Sequence, residues 1–94
     1  MDLQEYRFPL FLDLRGKKAV IVGGGKIALR RAAVLLSFGA AVTLIAPECE
    51  AVPEGVSFLQ RPYAPGDLAG AFLAVAATNS REVNRQVGQE AAQS

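Results

Sequence analysis

The chain has 94 residues, enough for one domain at the small end of those that bury their own core. With 51% hydrophobic and 20% charged residues it is too apolar for intrinsic disorder, and its apolar runs are too short to cross a membrane. Ten basic against nine acidic residues give a net charge of +1, which excludes the electrostatic footprint of a nucleic-acid or anionic-lipid binder. Residues 1–7 carry acids and lack the basic start and apolar stretch of a secretory signal, so a cytoplasmic setting is expected. The single cysteine, Cys49, cannot form an internal disulfide and reads as a loop thiol; with no histidine, no usual zinc site is expected.

In chain order, residues 18–22 form a short β-branched run bounded by Gly16 and by a glycine cluster, the pattern of a buried parallel strand. From Lys26 onward Ile27, Ala28, Ala32, Leu35 and Leu36 recur near helical spacing. Arg30, Arg31 and Ser37 can face solvent, and Gly39 supplies a stop. Residues 42–46 make a second strand ended by Pro47, so strand, helix and strand fit the size of one βαβ unit. A third strand is expected at 56–59, then turn chemistry at 64–68 leading into a short helical segment. The apolar run 71–77 reads as a fourth strand. A helix follows over 81–92, with Ser80 as its cap and Glu82 in its first turn.

The stretch Gly23-Gly24-Gly25-Lys26-Ile27-Ala28 lies between the first strand and the first helix and matches G-x-G-x-x-A. A backbone that turns sharply and lets a pyrophosphate touch its amides has no room for β-carbons. Gly23 therefore serves the turn, Gly25 the close approach, and Ala28 the packing of helix on strand. The helix start adds unpaired N–H groups and the positive end of its dipole. The motif also expects an acid after the second strand to accept hydrogen bonds from the ribose hydroxyls, and Glu48 stands there; a solvated loop acid is the alternative. No cation lies between Arg31 and Arg61, which leans the choice toward NAD over NADP. Thr78 and Asn79 follow the fourth strand, where they either line the ligand crevice or only cap the next helix. Lys26 is near enough to the helix start to matter, whereas Arg30 and Arg31 read as a solvated face. Arg81 and Arg85, one helical turn apart, either meet an acidic ligand or face solvent.

The segment FPLFLDLRGKKAVIVGGGKIALRRAAVLLSFGAAVTLIAPE, with AVAATNSREVN further on, resembles the amino-terminal domain of siroheme synthase and the related precorrin-2 dehydrogenases, which often double as sirohydrochlorin ferrochelatases. The combination carries the resemblance: the Pro-Leu-Phe-Leu-Asp-Leu lead-in, a triple glycine followed by Ala and Arg-Arg, and Ala-Ala-Thr-Asn before Val-Asn. It implies NAD-dependent oxidation of precorrin-2 to sirohydrochlorin, with Gly23, Gly24, Gly25, Lys26, Ile27 and Ala28 at the phosphates. By the same carry-over, Pro47 and Glu48 lie on the adenosine side, Thr78 and Asn79 beside the nicotinamide. The family's further strand, with the aspartate assigned to dehydrogenation and chelation, has no counterpart in these 94 residues, so no catalytic residue is assigned.

The expected fold is α/β, a Rossmann-like parallel sheet of four or five strands with helices on both faces. Residues 1–94 are read as one NAD-binding domain, incomplete at its C-terminus as a piece of a longer protein. A partner chain, as in a homodimer, would complete its sheet. The alternatives to a precorrin-2 dehydrogenase are a non-catalytic NAD-sensing module and an inactive fragment.

Overall fold

The computed structural model describes residues 11–93. The reading of residues 1–7, residues 8–10 of the lead-in, and Ser94 lie outside them. Four strands and two helices follow one another as β1 (Lys18–Val22), α1 (Lys26–Ser37), β2 (Ala41–Ala46), β3 (Ser57–Gln60), β4 (Leu73–Ala76) and α2 (Arg81–Gln93). The sheet order is β3-β2-β1-β4 and every pairing is parallel, with Val20 opposite Thr43 on one side and Ala74 on the other. Parallel neighbours require crossover connections, and α1 supplies the one between β1 and β2.

β1 is central, and its side chains alternate between two cores. Ala19 and Ile21 join Val42, Leu44 and Ala46 of β2 beneath Ala28, Ala32 and Leu35 of α1. Val20 and Val22 join Ile45, Leu68 and Val87 of α2 on the opposite face. Val20, Ile21 and Val22 are all fully buried, and each such side chain contributes about 1.5–3 kcal/mol over an exposed one. That double-sided burial is why the strand reads as an unbroken apolar run rather than an alternating one.

α1 closes as Gly39 foretells. Gly39 takes φ 84°, its N–H donates to the Leu36 carbonyl at 2.9 Å, and the Ala40 N–H reaches back to Leu35 at 3.1 Å. This pair of bonds is a Schellman closure, which a β-carbon at the left-handed position would strain. Ser80 caps α2 through its hydroxyl oxygen, which accepts the Val83 N–H at 3.2 Å.

Three details depart from expectation. Ile27 is not on the buried stripe of α1 and is 64% exposed, because Ala28, Ala32 and Leu35 define that stripe and Ile27 sits about 100° around the helix from Ala28. The helical segment expected after residues 64–68 is a run of turns, with i to i+3 bonds from Asp67, Ala69 and Ala71. Gly66 and Gly70 there have φ 98° and 74°, and these left-handed residues interrupt any right-handed helix. The fourth strand is shorter than 71–77 and only partly buried, since among the described residues it lies at the sheet edge with a neighbour on one side.

Candidate functional site

A cleft of about 630 Å³ opens where the C-terminal ends of β1, β2 and β4 meet the start of α1. This is the crevice in which parallel α/β sheets place their ligands. The glycine turn lies at its middle. Glu48 and Pro47 line the β2 side, and Thr78 and Asn79 line the β4 side.

The three glycines do different things. Gly23, at φ 137°, ends β1 between its neighbours: its N–H donates to the Ile45 carbonyl at 2.9 Å, and a β-carbon on it would collide with the Ala77 carbonyl of the β4 end. A β-carbon on Gly24 would collide with the Glu48 carbonyl oxygen and stand 3.0 Å from the Ala46 Cβ. Gly25 caps α1 with extended backbone, φ −84° and ψ −174°, and a β-carbon there would meet no protein atom within 4 Å. The space beside Gly25 is thus open to a ligand, while Gly23 and Gly24 are held by their own chain.

At the start of α1, the first intrahelical bond runs from the Leu29 N–H to the Gly25 carbonyl at 3.0 Å. Gly25 has no side chain with which to cap the helix, and the first turn holds no acid. The N–H groups of Lys26, Ile27 and Ala28 precede that bond and retain their donor capacity. With the dipole, they offer an anion a positive, hydrogen-bonding surface. Lys26 lines the cleft as well, and its ammonium has no hydrogen-bond or ion-pair partner among the described residues.

Eight of the ten residues expected at the cofactor line the cleft: the three glycines, Lys26, Pro47, Glu48, Thr78 and Asn79. The side chains of Ile27 and Ala28 do not. Ala28 is fully buried against the sheet, the packing role expected of the third small position, and Ile27 faces solvent. The Glu48 carboxylate is exposed and has no hydrogen-bond or ion-pair partner among the described residues, so it is free to accept from hydroxyls.

Thr78 is heavily engaged. Its hydroxyl donates to Asn84 Oδ1 at 2.6 Å and accepts the Ser80 N–H at 3.1 Å, while the Asn84 amide donates to the Thr78 carbonyl at 3.1 Å. The turn between β4 and α2 is locked by this exchange, which gives the Val-Asn pair a structural reason. Asn79 beside it is exposed, lines the cleft and has no side-chain partner among the described residues. Arg85 pairs with Glu82 on the solvent face of α2, and neither Arg81 nor Arg85 lines the cleft.

Sequence reasoning missed Pro62, Tyr63 and Cys49, which also line the cleft. The Tyr63 hydroxyl donates to Glu90 of α2, and burial together with that carboxylate pushes its pKa up to about 12. Arg61 grips Asp67 with two bonds of 2.8 Å and holds its carboxyl below the usual range. Among the described residues no helix is long and apolar enough to cross a membrane.

An open cradle at Gly25, unspent amides at a helix start and an unpartnered carboxylate after β2 fit a dinucleotide in this cleft. Residues 10–94 match the model of a family described as NAD(P)-binding. The chain is 45% identical to a siroheme synthase of Chromobacterium violaceum over 89% of its length, and 43% identical to one of Azotobacter vinelandii over 88%. It spans only 19% of each of those synthases. Among solved structures it superposes on SirC, a precorrin-2 dehydrogenase, with a TM-score of 0.80 and 34% identity, over 87% of this chain and 44% of that one. The resemblance carried by the triple glycine and the Ala-Ala-Thr-Asn segment is borne out, as is the Rossmann-like sheet.

Proposed function

The chain belongs to the NAD(P)-binding family, and from that premise we propose that it is the dinucleotide-binding part of a precorrin-2 dehydrogenase that uses NAD. The observation that carries this reading is the glycine turn: an open place at Gly25 against unspent amides, with the free Glu48 carboxylate on the same cleft. A bound nicotinamide supplies hydride acceptance, oxidising precorrin-2 to sirohydrochlorin by two electrons with release of a proton.

The chain's own residues bind and orient. The N–H groups of Gly25 to Ala28 meet the pyrophosphate, with Lys26 adding charge. Glu48 accepts from the ribose hydroxyls, which favours NAD because a 2′-phosphate there would face a carboxylate. Asn79 offers an amide on the nicotinamide side. A cytoplasmic homodimer, and ferrochelatase activity in a longer chain, belong to the same reading.

The test is fluorescence titration with NADH and NADPH in parallel, helped by the absence of tryptophan. Saturable binding that prefers NADH is expected, followed by turnover when precorrin-2 and NAD are added to the full-length protein. Absence of binding by the folded chain overturns the reading. Binding without turnover in the full-length protein would instead favour a nucleotide sensor.

A further inference from the structure

The segment between β3 and β4 crosses the face of the sheet that α2 covers, and one carboxylate holds it. Glu90, in the last turns of α2, accepts the Tyr63 hydroxyl, the Gly66 N–H at 3.1 Å and the Leu68 N–H at 3.0 Å. Three donors drawn from six residues of a turn-rich segment converge on one side chain 22 to 27 positions further along the chain. Leu68 is buried in the core beside Val87, and Tyr63 packs against that same cluster.

Glu90 lies outside the cleft, whereas Tyr63 lies in its wall. Pro62 and Tyr63, which follow β3 beside β2, line the same cleft as Glu48. A flat aromatic ring beside a proline suits the planar base of an adenosine whose ribose reaches Glu48. The bond from its hydroxyl to Glu90 pins the far end of the Tyr63 ring and so fixes where the ring lies in the cleft wall.

We propose that Glu90 is a positioning residue for the cleft: through Tyr63 it sets the wall that receives the adenosine half of the dinucleotide. The inference rests on the dinucleotide reading of the cleft and adds a residue that no ligand touches. Burial of the Tyr63 ring, together with the Glu90 carboxylate, keeps the hydroxyl protonated well above neutral pH, so it stays a donor to Glu90 there.

The test is a cycle of Glu90→Ala, Tyr63→Ala and the double variant, with NADH read by its fluorescence and ADP-ribose by competition against it. Glu90→Ala is expected to weaken both ligands by the same factor, on the order of tenfold. Added to Tyr63→Ala it should cost nothing more, since its effect passes through that ring. Tyr63→Phe, which keeps the ring and loses only the bond to Glu90, should reproduce most of the Glu90→Ala loss; it serves as the readout if Glu90→Ala does not fold. Wild-type affinity for ADP-ribose in Tyr63→Phe, or losses from Glu90 and Tyr63 that add in full, overturns the proposal while leaving the dinucleotide reading intact. Failure of the wild-type protein to bind either ligand overturns both.

Discussion

Replacing Gly24 with alanine separates the chain's demand on the glycine turn from the ligand's. The new β-carbon would stand closer than 3.0 Å to the Glu48 carbonyl oxygen, 3.1 Å from the carbonyl carbon and 3.0 Å from the Ala46 Cβ. Two of these are backbone atoms of Glu48, just beyond the end of β2, so no flexible side chain can swing clear. Residues 46–48 must give by about 1 Å, an overpacking strain of about 2 kcal/mol. For a domain of this size that lowers the melting temperature by on the order of 10 °C. The shift also carries Glu48 away from the turn, so NADH affinity should fall more than NADPH affinity. Gly25→Ala is the control: its β-carbon meets nothing within 4 Å and the backbone there suits any residue. It should leave the melting temperature within about 2 °C of wild type and still impair NADH binding, because the space it fills is the ligand's. Thermal unfolding and the NADH titration read both variants. A Gly24→Ala protein as stable as wild type would refute the steric argument, and a Gly25→Ala protein that binds NADH normally would remove the pyrophosphate from that place.

Glu48→Ala should weaken NADH more than NADPH in the same titration, and equal losses would take the carboxylate off the ribose. Ser80→Ala removes the α2 cap and should cost about 1 kcal/mol in denaturant unfolding; an unchanged midpoint would show that the Thr78–Asn84 exchange closes the turn by itself. The Arg61 fork holds the Asp67 carboxyl below its ordinary 3.8, so the pair's stabilisation is fully present above that value. It is lost as pH falls through the lowered native value, and Asp67→Asn should flatten that part of the acid unfolding curve. A wild-type curve in the variant would show that the pair contributes nothing net.

The run β1, glycine turn, α1, Gly39 and β2 is legible in the sequence because each of its causes is local. Three β-branched residues stiffen a strand, glycines permit the turn and the left-handed stop, and the spacing of Ala28, Ala32 and Leu35 makes one helical face. Ser80 as cap is local in the same sense. The dinucleotide motif belongs to this part, since its residues are neighbours in sequence as well as in space.

Contacts between distant segments have no such signature. That Gly24 is required by the Glu48 carbonyl depends on how closely β2 ends beside the turn, which no spacing expresses. Tyr63 enters the cleft wall because β3 lies next to β2 and because Glu90, 27 residues on, receives its hydroxyl. The turns at residues 65–70 replace the expected helix because Gly66 and Gly70 are left-handed and Glu90 takes two N–H groups from that segment. Composition and periodicity determine the long regular elements and most of their apolar faces, for those are properties of neighbours along the chain. The packed sheet alone decides which loops meet, and with them which side chains share a cleft, because those distances exist only once the strands are in register.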